Sequence, residues 1–243
     1  MEPCHFAPDA RELWLPDRSI LPFQDLWFDR MGVLMNRFLN ISAIIMAFLT
    51  EGVWAEPSSK VAFTPEVLKT LSAGQTKKGE EIAQSCVGCH VLGGAAPLLD
   101  GQIGAYLFKQ LKDYQDGSRM NELMTGLVRG LSDQDLADIA AYFSQLKAPS
   151  STKSKVTEMA EVLVHRGDPR RILPPCVACH ERDGRGQKID VPAIRGQSAA
   201  YLHQTLKDYK SGQRHNDLLG RMRAISQELN EKEIKALAEY YGQ

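Results

Sequence analysis

Four cysteines and two histidines of this 243-residue chain fall into two identical units, Cys86-x-x-Cys89-His90 and Cys176-x-x-Cys179-His180. Two thiols one helical turn apart can form thioethers to the two vinyl groups of one haem, and the adjacent imidazole then reaches the iron from one side. Three other chemistries compete for such a pair. A redox dithiol wants a βαβ setting, which the sequence lacks. A structural zinc needs four ligands, and each unit offers two Cys and one well-placed His. A disulfide within each motif leaves the repeated His unexplained. The expectation is two covalently bound haem c groups, held by Cys86, Cys89, Cys176 and Cys179, with His90 and His180 as axial iron ligands.

The sixth iron position separates electron transfer from ligand chemistry: Met/His ligation is the usual carrier arrangement and raises the potential. Met124 and Met222 each stand seven residues before a leucine, Leu131 or Leu229, that precedes the last helix of its repeat. That matched placement makes them the expected axial partners. Met120, four residues before Met124, is the competitor in the first repeat. Met159 lacks a counterpart and reads as a packing residue.

The elements that must position these groups are repeated too. The haem motifs recur ninety positions apart, and Pro97-Leu98-Leu99-Asp100-Gly101-Gln102 matches Pro192-Ala193-Ile194-Arg195-Gly196-Gln197. Tyr106-Leu107 with Leu111-Lys112-Asp113-Tyr114 matches Tyr201-Leu202 with Leu206-Lys207-Asp208-Tyr209. Ile103, Tyr106, Leu107, Leu111 and Tyr114 line one face of a helix. Ser132 followed by Asp135, and Asn230 followed by Glu233, read as N-caps of the last helices. Their apolar positions are Leu136, Ile139, Ala140 and Phe143, or Ile234, Leu237, Ala238 and Tyr241. No useful strand pattern appears, so the expected fold is all-α, two tandem domains over 56–149 and 150–243, joined by a polar linker near Ala148–Lys155. Domains this small bury little core alone, and a large apolar cofactor at each centre supplies the rest.

A net charge of −1 and 43% hydrophobic residues exclude a strongly basic nucleic-acid binder, a disordered chain and a polytopic membrane protein. Residues 56–149 carry 9 basic and 11 acidic side chains, and 150–243 carry 16 and 12, a net −2 against +4. Such a dipole can orient the molecule on partners, or be an idle difference between two solvated surfaces. Phe38–Thr50 is an apolar run of about 13 residues, too short to span a bilayer; Arg37 precedes it and Val53-Trp54-Ala55 offers a cleavage site. It reads as a signal peptide over 31–55, so the mature chain is expected to start at Glu56. Residues 1–30 read as an early start codon, leaving Cys4 and His5 without a function.

From about Gly79 onward the chain resembles the dihaem cytochrome c4 family of periplasmic carriers. The resemblance rests on the paired haem motifs, the Pro-x-x-x-Gly-Gln segments, the Tyr-Leu…Lys-Asp-Tyr helices, and Met124-Thr125-Gly126 leading to Leu131-Ser132-Asp133-Gln134-Asp135. It implies His90/Met124 and His180/Met222 as ligand pairs, with the Pro97 and Pro192 carbonyls accepting from the proximal histidines. It also implies a periplasmic electron carrier between a donor dehydrogenase or quinol-oxidising complex and an acceptor oxidase, touching the membrane only through its partners. The alternative is an electron-relay subunit of a sulfur-compound dehydrogenase. Two departures stand out. Six residues separate His90 from Pro97 against eleven between His180 and Pro192, and three extra residues lie between Asn216 and Met222 relative to Asn121 and Met124. The first is expected to change solvent access at the first haem.

Overall fold

A computed structural model describes residues 58–91, 96–150, 156–187 and 189–243. The signal-peptide, start-codon and Cys4/His5 expectations lie outside the described residues, as do linker residues 151–155. Pro57–Gln243 forms one compact unit. Its described residues are helical, with three isolated β-bridges and no strand.

The first repeat contains α1 (Pro65–Ser72), α2 (Thr76–Val87), α3 (Gly104–Asp116), α4 (Glu122–Val128) and α5 (Asp133–Gln145). The second contains α6 (Glu158–His165), the single turn α7 (Val177–His180), α8 (Ala199–Ser211), α9 (Arg221–Glu228) and α10 (Glu231–Tyr241). The last helix of each repeat is the hub: α5 packs on α1, α2 and α3, and α10 packs on α6 and α8.

Local chemistry sets these helices. Ser132 and Asp135 close a capping box at the start of α5, and Asn230 and Glu233 close one at α10. Hydrogen bonds from the Ser132 side chain and backbone, with Lys78 beside it, hold the Asp135 carboxyl down to about 2. Arg171 forks onto Glu233 at 2.8 and 3.1 Å and so ties the 3₁₀ turn Pro169–Arg171 to α10. Helices α3 and α8 both end on a left-handed glycine, Gly117 at φ 81° and Gly212 at φ 79°. The periodic residues of the last helices are the core: Leu136, Ile139, Ala140 and Phe143 are buried with Phe108, and Ile234, Leu237 and Tyr241 with Leu163 and Val164.

Candidate functional site

One cavity of about 1450 Å³ runs through both repeats. It is lined by Cys86, Cys89, His90 and Met124 from the first repeat and by Cys176, Cys179, His180 and Met222 from the second. Most of its wall is apolar, with Leu107, Leu111, Val128, Phe143, Leu202 and Ile225 among the lining side chains. Met120 also lines it but is 75% exposed, whereas Met124 is half-buried.

The two histidines are held alike. His90 Nδ1–H donates to the Pro97 carbonyl at 2.6 Å, and His180 Nδ1–H to the Pro192 carbonyl at 3.0 Å. A carbonyl can only accept, so each bond places the proton on Nδ1 and leaves Nε2 as the free lone-pair nitrogen. Burial lowers both imidazoles from the ordinary histidine value, a shift toward the neutral form. His180 is 9% exposed and His90 half-buried. None of the four motif cysteines is joined in a disulfide. Burial pushes the Cys176 thiol up to about 11 and raises Cys86, the opposite of what a thiolate-driven dithiol requires. Among the described residues no three His, Cys, Asp or Glu side chains gather around a metal position.

The methionine helices differ as the spacing does. In the first repeat Asn121 caps α4 by accepting from the Met124 N–H at 2.9 Å. In the second, the three extra residues are taken up by the 3₁₀ turn Leu218–Gly220, where Leu219 and Gly220 are left-handed at φ 59° and 65°. Helix α9 then starts at Arg221, directly before Met222, and buried Asp217 anchors it by accepting from Arg223 Nε at 2.7 Å.

Between the repeats the cavity is polar. Arg119 lies over the Tyr114 ring and Arg214 over the Tyr209 ring, each 4.7 Å from the centroid. Arg214 donates to the Tyr106 hydroxyl at 2.9 Å and Arg119 to the Tyr201 hydroxyl at 3.2 Å, so each arginine reaches the other repeat's tyrosine. Both also donate to Gln110 Oε1. Burial raises the Tyr201 phenol, but the two guanidiniums outweigh it and hold the group down to about 7. Neither arginine takes part in an ion pair among the described residues. This positive seam is what the carboxylate side arms of a haem need, and the apolar walls, thiol pairs and Nδ1-tethered imidazoles fit its remaining surface.

The eight residues singled out in the sequence all line this cavity, whereas the seam was not anticipated. A signal was present: Arg119 and Arg214 each stand thirteen residues after the repeated Tyr106 and Tyr201.

Fold and site together define a class, the helical proteins that hold two covalent haems in tandem domains. The chain belongs to the cytochrome c family, whose model matches residues 76–147 and 174–241, and within it to the dihaem cytochromes c4. It is 37% identical over 177 residues to cytochrome c4 of Pseudomonas aeruginosa, covering 70% of this chain and 88% of that one. It is 32% identical over 222 residues to a thiosulfate dehydrogenase electron acceptor of Thiomonas intermedia, covering 87% and 92%. The crystal structure of reduced cytochrome c4 from Pseudomonas stutzeri superposes with a TM-score of 0.65 at 34% identity, over 69% of this chain and 97% of that one. The protein is a dihaem electron carrier with two covalently bound haem c groups.

Proposed function

We propose that the protein shuttles electrons in the periplasm, from a donor dehydrogenase or quinol-oxidising complex to a terminal oxidase or other acceptor, without acting on a substrate itself. Cys86 and Cys89 attach the first haem and Cys176 and Cys179 the second; His90/Met124 and His180/Met222 are the axial pairs. The observation that carries this reading is the completeness of both sets: each repeat brings a thiol pair, a carbonyl-held histidine and a methionine to the same cavity. Bound haem supplies a one-electron Fe(III)/Fe(II) couple. The protein's own part is to close both sides of each iron, keep the rings in apolar surroundings and neutralise their carboxylates with Arg119 and Arg214. Half-buried Met124 suits the ligand role better than 75% exposed Met120.

The name of the Thiomonas relative favours a dehydrogenase as donor, and gives a second reading in which the chain is the electron-relay subunit of a sulfur-compound dehydrogenase. Stopped-flow mixing with a reduced thiosulfate dehydrogenase and with an oxidase tests both readings. The carrier reading expects rapid reduction and reoxidation of both haems and no consumption of thiosulfate or peroxide by the isolated protein. Turnover of either substrate by the isolated protein overturns it.

A further inference from the structure

The peptide groups that hold the two histidines are themselves held from the opposite repeat. The Pro192 carbonyl, acceptor for His180, and the Ala193 N–H belong to one planar peptide unit. That N–H donates to Gln102 Oε1 at 2.7 Å, and Gln102 Nε2 donates back to the Ala193 carbonyl at 2.9 Å. The arrangement recurs with the repeats exchanged. The Pro97 carbonyl accepts from His90, the Leu98 N–H of the same peptide unit donates to Gln197 Oε1 at 2.9 Å, and Gln197 Nε2 donates to the Leu98 carbonyl at 3.0 Å. Gln102 and Gln197 are 7% and 6% exposed, so water competes little for either bond. Each glutamine is fixed in its own repeat by a neighbouring turn. The Gly101 N–H donates to Phe143 O of α5 at 2.9 Å and the Gly196 N–H to Tyr241 O of α10 at 2.8 Å.

Hydrogen bonds in such a chain polarise one another. An amide whose N–H is engaged by a good acceptor has a more electron-rich carbonyl. That carbonyl draws harder on the histidine Nδ1–H, and the imidazole becomes the more basic ligand. We propose that Gln102 and Gln197 are crossed positioning residues: through the backbone it grips in the opposite repeat, each sets the proximal-histidine hydrogen bond, and so the reduction potential, of the other repeat's haem. This rests on His90 and His180 being the axial ligands.

The sign follows from the chain. A more basic imidazole favours the ferric state, so loss of the distant glutamine weakens that preference and raises the potential. In the intact dihaem protein, Gln102→Met is expected to raise the potential of the second haem and leave the first unchanged; Gln197→Met is expected to do the reverse. Single-haem potentials are read by spectroelectrochemistry, with the separately resolved haem proton resonances of the oxidised protein as a second readout. Gln102→Glu keeps an oxygen acceptor for the Ala193 N–H and is expected to hold the second haem at or below its original potential. If Gln102→Met fails to fold, the glutamate variant and Gln197→Met still decide. Shifts confined to the glutamine's own repeat, or equal shifts at both haems, overturn the proposal. His180→Ala separates the two readings, because only it must abolish the low-spin spectrum of the second haem if His180 is the ligand.

Discussion

Arg214 donates to the Tyr106 hydroxyl across the seam at 2.9 Å, and its repeat counterpart Arg119 reaches Tyr201 at 3.2 Å in the opposite sense. The seam is therefore self-complementary in the manner of an isologous dimer, although both halves belong to one chain. Arg214 is 7% exposed and lines the cavity. A buried cation there favours the ferrous, less positive state. Replacing Arg214 with Gln is expected to lower the haem potentials, to let the Tyr201 phenol rise from about 7, and to lower stability by about 2 kcal/mol through lost charge-assisted bonds. Potentiometry, ultraviolet tyrosinate titration and chemical denaturation read the three effects. Arg214→Lys is expected to behave like Gln in stability, because an ammonium cannot reproduce the fork or the stacking on Tyr209.

The symmetry is broken beside the seam. Lys109 and Asp113 are 1% and 0% exposed and paired at 2.7 Å, with Asp113 also accepting from Ser59 Oγ and from Asn216 Nδ2 at 2.6 Å. Their repeat counterparts, Gln204 and Asp208, form a solvent-facing contact at 2.7 Å. Removing one partner of a buried, hydrogen-bonded pair strands the other, at a typical cost of about 3–5 kcal/mol. Lys109→Met is expected to fall in that range, Gln204→Met within about 0.5 kcal/mol of the original as an exposed surface change. Lys109→Met/Asp113→Leu is expected to cost less than the sum of its single changes, as contacting residues do. Denaturation midpoints of the original, the two single changes, the double change and Gln204→Met decide it.

What was legible in the sequence was local. The Cys-x-x-Cys-His spacing, the Ser132 and Asn230 caps and the apolar faces of α5 and α10 each depend on residues within about one or two turns of one another, so periodicity and capping rules reach them. The three-residue insertion before Met222 was visible as a departure, but its absorption by a left-handed turn at Leu219–Gly220 was not, since two adjacent positive φ angles with a leucine first have no strong sequence signature. The seam was hidden for another reason. Gln102 and Gln197, or Arg119 and Arg214, mark themselves by repetition, yet what each touches depends on how the two repeats face each other, and ninety residues of separation carry no periodic signal about that. Lys109 and Asp113 stand four apart, the spacing of ordinary helix surface pairs, and nothing in that spacing marks the contacts with Ser59 and Asn216 that the fold adds.

Asp190 gives the structure a pH signature. It lines the cavity, its Oδ1 is buried without a hydrogen-bond partner, and burial pushes its carboxyl from 3.8 up to about 6. Lys109 and Arg214 pull it down, while Asp113 and Asp217 push it further up. Between those two values the folded protein holds a proton that the unfolded chain has lost. Stability from this group therefore falls as pH rises from about 4 to about 6, and the penalty is full above that range. Asp190→Asn is expected to leave the melting temperature unchanged at pH 4 and to raise it at pH 7. Calorimetry at the two pH values checks this, and an equal rise at both would assign the effect to packing instead of charge.

Function turns on the two methionines. With Met124 and Met222 as sixth ligands, the oxidised protein is expected to show His/Met low-spin spectra at both haems and to bind carbon monoxide or cyanide poorly. Its potentials are expected on the high side for c haems, because a thioether sulfur favours the ferrous state. Met124→Ala and Met222→Ala are each expected to open one iron, lower that haem's potential and make it ligand-reactive, while the other haem keeps its spectrum. Met120→Ala, at a side chain 75% exposed, is expected to do neither. The first-repeat pair of variants decides between Met120 and Met124 directly, since only the true ligand removes the thioether–iron charge-transfer band of that haem. A ligand-reactive haem in the unaltered protein would sink the carrier reading and favour catalysis at an open iron.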